Sequence, residues 1–264
     1  TPTVQIEPSR QQLSFVGQRG INANVMLDGT DYTQPFFGGI RGGERSNFAF
    51  TVPQSAIQEF QVITQGYAAE YGRSTGGILN SITKSGTNDV RGEAFYLLRH
   101  KSLAARNPIL NVRSSETQHQ FGGAAGGALK KDKIFWFSAV EQQFASNPRN
   151  VVFANLNNAT PGPNTNDSIA FYRSLEERFR QTNDATAATG RLDYQFERGH
   201  RLTFRYNFSN NNAENAVGVG GALNPNTNAA LSNEGIEKNR THTGTLQYTY
   251  ILSPKLINDL RFSG

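Results

Sequence analysis

Over the later part of the chain, apolar and polar side chains exchange one by one. They alternate at every step of Arg191-Leu192-Asp193-Tyr194-Gln195-Phe196, and again in Arg201-Leu202-Thr203-Phe204-Arg205-Tyr206-Asn207-Phe208 and Thr245-Leu246-Gln247-Tyr248-Thr249-Tyr250. Successive side chains of a strand point to opposite faces, so each run predicts a strand with one apolar and one strongly polar face. The pattern places strands at 90–99, 118–130, 133–144, 187–198, 200–210, 240–252 and 255–264. Leu192, Tyr194, Phe196, Leu202, Phe204 and Phe208 then share one face, and Arg191, Asp193, Arg201 and Arg205 the other.

The connections separate two architectures that both alternate. Lys130-Lys131-Asp132-Lys133, Glu197-Arg198-Gly199-His200 and Leu252-Ser253-Pro254-Lys255 are short and turn-like, whereas 101–117, 145–186 and 211–239 are long. Long loops alternating with tight turns match the two rims of an outer-membrane barrel. Compact soluble domains seldom carry several loops beyond about 15 residues. Trp136 with Phe135 and Phe137, and Tyr248 with Tyr250, lie beside short turns and suit an interfacial aromatic girdle. Cross-strand aromatic packing in a soluble sandwich is the alternative. Within the longest loop, Asn166 to Gln181 predicts a helix capped by Asn166 or Asp167, its Ile169, Tyr172, Leu175 and Phe179 stripe resting on the barrel mouth. Asn207 to Asn228 reads as mobile polar loop.

Residues 1–88 have another texture. A short strand from Asn24 runs into an Asp28-Gly29 turn, and a glycine- and aromatic-rich loop follows from Tyr32 to Asn47. Pro53 opens a short helix with Ile57 and Phe60 on one face, and 61–64 and 77–83 read as strands. Gly72, Gly76 and Gly77 are expected to supply positive φ and close backbone approach. The expected fold is therefore mainly β: a partial α+β domain over 1–88, then about seven antiparallel strands of an incomplete transmembrane barrel over 89–264.

Three blocks resemble the plug domain of TonB-dependent outer-membrane receptors: Leu27-Asp28-Gly29, the stretch from Pro53 to Val62, and Tyr71-Gly72-Arg73-Ser74-Thr75-Gly76-Gly77 continuing to Asn88. The run Gln120-Phe121-Gly122-Gly123-Ala124-Ala125-Gly126-Gly127-Ala128-Leu129, on through Trp136 to Glu141, is similar to the early barrel hairpin of the Oar-like subgroup, with Ala128 where proline is usual. The resemblance implies a plug inside a barrel of about 22 strands. It also implies ligand capture outside the cell and import by TonB-coupled plug movement, in the outer membrane. A non-transporting surface adhesin on a similar barrel is the alternative. Thr1-Pro2 begins without a signal segment and the chain stops within a strand, so the sequence reads as part of a longer protein, and these residues alone are expected to form an open, curved sheet holding part of a plug. The implied partners are the inner-membrane TonB complex, outer-membrane lipid, and an extracellular ligand of saccharide, peptide or metal-chelate type.

Composition narrows the chemistry. A net charge of +5 and pI near 9.5 permit contact with anionic polymers, but charged residues are only 18% and no long lysine run occurs, so nucleic acid is not an expected partner. There is no cysteine, and His100, His119, His200 and His242 are scattered, so neither metal nor cofactor is expected. Gly122 to Gly127 lacks the Lys-Ser/Thr of a phosphate loop and reads as small residues where the plug crowds a strand. No catalytic constellation appears. The candidates for ligand contact are Tyr32, Phe36, Phe37, Arg41 and Arg45, because binding surfaces favour aromatics and arginine. The same residues equally suit packing of plug into barrel. Glu70 and Arg73 are expected to meet Arg191, Asp193, Arg201 and Arg205 across the plug–barrel boundary.

Overall fold

The computed structural model describes residues 3–7, 12–36, 38–42, 50–64, 66–68, 71–106, 116–160, 162, 165–215, 226–253 and 255–264. Two sheets dominate. The smaller has the order β4-β3-β6-β5, from β3 (Ala23–Leu27), β4 (Thr30–Asp31), β5 (Ile57–Ile63) and β6 (Gly77–Thr83). β3 and β6 are parallel, and the outer pairs antiparallel. A separate hairpin, β1 (Val4–Glu7) with β2 (Gln12–Phe15), sets Phe15 beside Val25, Leu27 and Ile78 as buried apolar residues of this region. Gly77 admits the Phe15 ring, which a Cβ there would meet at 2.6 Å. Contrary to expectation, Gly72, Gly76 and Gly77 do not take positive φ; Arg73 does, at 57°. The expected helix at Pro53 is a single 3-10 turn, Gln54–Ala56, and Ile57 and Phe60 belong to β5, where they pair with β6.

The larger sheet is a wall of seven antiparallel strands in the order β14-β13-β11-β10-β9-β8-β7, with β7 and β14 as open edges. Its members are β7 (Arg91–Arg99), β8 (Thr117–Lys130), β9 (Ile134–Val151), β10 (Arg178–Gln195), β11 (Arg201–Glu214), β13 (Ile236–Ser253) and β14 (Leu256–Ser263). The two-residue β12 (Asn226–Thr227) adds a parallel bridge to the end of β9. Each wall strand hydrogen-bonds to its sequence neighbour among these seven, and tight turns alternate with the long connections 100–116, 152–177 and 215–235.

The strands run further toward the long connections than alternation predicts. In β10 the segment Thr182 to Thr189 carries no large outward apolar residue, yet it pairs continuously with both neighbours. Its inward Ala185 and Ala187 are fully buried, so small size has replaced hydrophobicity as the mark of the covered face. For the same reason, the Asn-rich run expected to be loop from Asn207 continues as β11, with Asn207, Ser209 and Asn211 buried inward. The loop helix is shorter than expected: α1 spans Asn166–Ser174, with Thr165 at its N-cap and no side-chain cap from Asn166 or Asp167. Residues from Arg178 onward are strand, because the Arg178-Phe179-Arg180 alternation pairs with Arg149 and its neighbours on β9. No α1 residue is buried; of the expected stripe, Tyr172 meets Phe153, just past β9, edge-on at 5.8 Å, and Phe179 is a buried residue of β10 itself.

On β9, β10, β11 and β13 the odd-numbered side chains face the small sheet and the even-numbered ones face away. Leu192, Phe204, Leu246 and Phe262 form one row of the outer face through direct register partners, each at least 41% exposed. Tyr194, Phe196 and Tyr248 stack edge-on outside, and His200 lies flat on Tyr250, all beside short turns. Such an apolar band with an aromatic edge is what a lipid-facing wall requires. Phe135 and Phe137 depart from the expected girdle: both are buried inward, and Trp136 between them takes the even-numbered, outward side. No helix among the described residues is long and apolar enough to cross a membrane.

Candidate functional site at the plug–wall interface

The hairpin joining β3 and β4 is the two-residue turn Asp28-Gly29, with φ of 49° and 73°, the left-handed pair that this hairpin type demands. The turn carries the Asp28 carboxylate out of the small sheet toward β10 and β11. Asp28 accepts from the Thr83 backbone N–H at 2.8 Å and the Thr83 hydroxyl at 2.7 Å, both within the small sheet. From the wall it accepts a hydrogen bond from Arg205 Nη1, and Arg191 Nη1 stands 3.8 Å away. The Arg205 side chain is 2% exposed, and its Nη2 also donates to Leu27 O at 3.3 Å, Thr30 Oγ1 at 3.3 Å and Thr245 Oγ1 at 3.1 Å. A guanidinium so enclosed needs its carboxylate partner to remain charged at acceptable cost.

Asp193 is a second hub, two residues along β10. It accepts two bonds from Arg191, at 2.9 and 3.1 Å, and two from Arg201, at 3.2 and 2.7 Å. Thr203 donates at 2.7 Å, and Ser85, just past β6, crosses from the small sheet at 2.8 Å. Arg191 Nη1 reaches back to Thr83 O and Oγ1 at 3.1 and 2.8 Å. Arg191 therefore joins both aspartates and both sheets.

Higher contacts change in character. The turn before β5 donates from Gln54 N to fully buried Glu141 of β9 at 2.7 Å, and Ala56 packs on Ala124, Phe137 and Ala139. Phe50 packs on Ala185 and Ala187 while its backbone exchanges hydrogen bonds with Asn211. Read along β11, the inner chain climbs from Arg205 at Asp28 to Asn211 at Phe50, the end of the long connections. It then descends to the short turns, where Asn88 and Asp132 exchange bonds of 2.6 and 2.9 Å. Gly86 is required on this descent: a Cβ would meet Gly127 O at 2.6 Å and press closer still on Trp136 O. Between the Asp28 level and the short turns the two sheets leave a cavity of about 540 Å³.

The structure brings together four of the residues expected at this boundary, Arg191, Asp193, Arg201 and Arg205. Arg73 is a correction. It is 70% exposed and pairs at 2.8 Å with Asp31, inside the small sheet, because the Asp28 hairpin rather than the 71–76 segment faces the wall charges. Glu70, Phe37 and Arg45 lie outside the described residues. Phe36 is 82% exposed at the tip of the loop following β4. Arg41 is half-buried, and Tyr32 is only 3% exposed, turned to the wall. Burial raises the Tyr32 phenol above its usual range, opposed by a hydrogen bond with Thr243 and by the charges of Arg205 and Arg41. Asp28, Thr83, Ser85 and Glu141 were missed by sequence reasoning. An Asp-Gly pair signals a turn, and that signal hides the carboxylate's second role as the inward anion of the hairpin. Among the described residues no group of three or more acidic or histidine side chains gathers as a metal site.

Known proteins agree with this geometry. The family described as outer membrane beta barrel domain matches residues 82–153 and 142–264. The TonB-dependent transporter Oar of Myxococcus xanthus is 26% identical over 210 residues, which is 72% of this chain and 20% of that protein. A mutant form of the ferric enterobactin receptor PfeA of Pseudomonas aeruginosa superposes with a TM-score of 0.64 at 15% identity, over 99% of this chain and 36% of that one. The outer membrane transporter YddB of Escherichia coli does so with a TM-score of 0.65 at 11% identity, over 99% of this chain and 35% of its own. The chain thus spans about a fifth of the curated relative and about a third of each solved barrel. With the family match covering most of its length, the chain belongs to the outer-membrane β-barrel family, and its fold matches part of the plug-in-barrel fold of TonB-dependent receptor structures.

Proposed function

We propose that this chain is the later part of the plug, through residue 88, and the first barrel strands, from residue 89, of a TonB-dependent transporter. It would capture a ligand outside the cell and import it when TonB, drawing on the inner-membrane proton gradient, pulls the plug. The observation that carries this reading is the Asp28 clamp. The plug is anchored low on the wall through charged and polar bonds, which can exchange for water and re-form, and apolar contacts between plug and wall are small. A plug that must shift and return needs such an attachment, whereas a permanent stopper is better served by a large apolar seam.

Phe36 and Arg41 are the ligand contacts this reading favours, with Phe37 and Arg45 as sequence-based candidates and Tyr32 assigned to plug packing. Arg191, Asp193, Arg201 and Arg205 are the wall's side of the clamp. Saccharides, peptides and metal chelates remain the ligand classes; the PfeA structures concern a ferric enterobactin receptor, so a ferric chelate is the first to screen. The deciding experiment is ligand-screened uptake by a strain lacking the full-length gene, with and without TonB. Saturable uptake that needs both genes is expected; uptake unaffected by loss of TonB would overturn the coupling. One observation favours surface adhesion as a second reading: α1 presents Phe171 and Tyr172 at 60% and 47% exposure on the long connection 152–177. Binding of cells or matrix without any uptake would select it.

A further inference from the structure

The cavity between plug and wall has a lining the clamp does not use up. Arg191, Arg201, Arg205 and Arg261 all border it, from three wall strands, together with Gln58 and Asn80 of the plug. The nearby carboxylates are already engaged. Asp28 accepts from Thr83 twice and from Arg205, and Asp193 accepts six bonds from Arg191, Arg201, Thr203 and Ser85. Asp259 takes bonds from both Arg261 and Gln247.

Donors remain after these are counted. A guanidinium carries five N–H groups and accepts nothing. Arg201 spends two of its nitrogens on Asp193 and its Nη1 has no acceptor among the described residues, while its side chain is 39% exposed. Arg261 is exposed to the same degree; its three nitrogens donate to Asp259 and, at 3.1 Å, to Gly29 O of the plug turn, which leaves two of its five N–H groups unused. Four cations stand against three carboxylates, and the unused N–H groups of Arg201 and Arg261 border a space of about 540 Å³, which describes an anion site of small-molecule size.

We propose that this cavity, on the short-turn side of the plug and away from the long loops, binds a small molecule bearing a carboxylate or phosphate group. Arg201 and Arg261 supply the free donors, and the Asp28 clamp fixes the plug wall of the site. Occupancy bridges Arg261, beside the plug turn, to Arg201 on β11, so it holds the plug in its docked position. The proposal concerns binding by the docked protein and holds whether or not import occurs.

The test is hydrogen exchange of the full-length protein in detergent, with inorganic phosphate titrated against sodium chloride at matched ionic strength, and citrate as a second probe. Phosphate or citrate at ten times its dissociation constant should slow exchange of the segments 26–30 and 80–86 about ten-fold beyond chloride. Arg201→Gln with Arg261→Gln should abolish that difference, and the paired lysine substitutions should keep part of it. Protection by chloride equal to that by both oxyanions would overturn the site, as would full oxyanion protection in the double glutamine variant. Uptake assays fail or succeed independently of this readout, so loss of the transport reading would be recognised separately.

Discussion

The two faces of the same strands solve opposite problems with the same alternation. On β10 and β11 the outward residues Leu192, Tyr194 and Phe204 are exposed and apolar, while the inward Asp193, Thr203 and Arg205 are buried and polar. Judged by burial alone, the molecule is inside out. The outward side chains meet lipid, for which exposed leucine and phenylalanine carry no penalty. The inward side chains meet a plug, and burial of a charge is tolerable only when partners saturate it. Hydrophobicity therefore reports contact with lipid in this wall, and hydrogen-bond satisfaction reports contact with protein.

The strongest way to break the comparison is to remove an inward partner. Asp28→Ala leaves Arg205 enclosed without its carboxylate and should weaken plug docking by about 3 to 5 kcal/mol. Plug unfolding by urea in an otherwise intact barrel, followed by a label on β5, measures it, and Asp28→Asn should fall between wild type and alanine. An unchanged plug midpoint in Asp28→Ala would mean that the clamp contributes nothing. The outward counterpart is Leu192→Arg, which puts a charge into the apolar band and should cost about 2 to 4 kcal/mol of barrel stability. Its mark is loss of heat-modifiable gel mobility with the plug contacts unaltered. If Leu192→Arg instead loosened the plug, the two faces would not be independent.

How much of this was legible in the sequence follows the same division. Where lipid faces the wall, as at Leu192 to Phe196 or Leu202 to Phe208, alternation placed strand and register. Where both sides of a strand are polar or small, as in Thr182 to Thr189 and Ser209 to Ala213, alternation vanished and β10 and β11 were read short, though ladder pairing continues unbroken. Lumen arginines and Asp193 stood out as charges in an alternating run. Asp28 did not, because turn chemistry alone accounts for an Asp-Gly pair, and only the fold reveals that the turn is aimed at Arg205. Arg73 was assigned to the wrong partner for the complementary reason: its charge was visible, and its distance from the wall was not.

A smaller prediction probes one of the two places where the inward face behaves as an apolar core. Ala56 is fully buried against Ala124, Phe137 and Ala139, so Ala56→Leu overpacks the seam and should cost about 1 to 3 kcal/mol of plug docking in the same urea measurement. A neutral or stabilising result would show that plug and wall separate easily here, and that the charged clamp holds the plug by itself.

The smallest effect expected is a pH dependence confined to alkaline conditions. Burial raises the Tyr32 phenol above its ordinary value near 10, so the docked plug keeps a proton that the released plug loses. The sign follows: Tyr32's contribution is fully present below about pH 10 and declines as pH rises through the docked-state value. The Tyr32→Phe variant has no such proton, so its plug stability should lose this part of the alkaline decline, at the expense of the Thr243 hydrogen bond at neutral pH. Parallel urea titrations of both proteins on either side of about pH 10 give the comparison. Identical slopes would place the phenol in contact with water, and would return Tyr32 from wall packing to the residues open to a ligand.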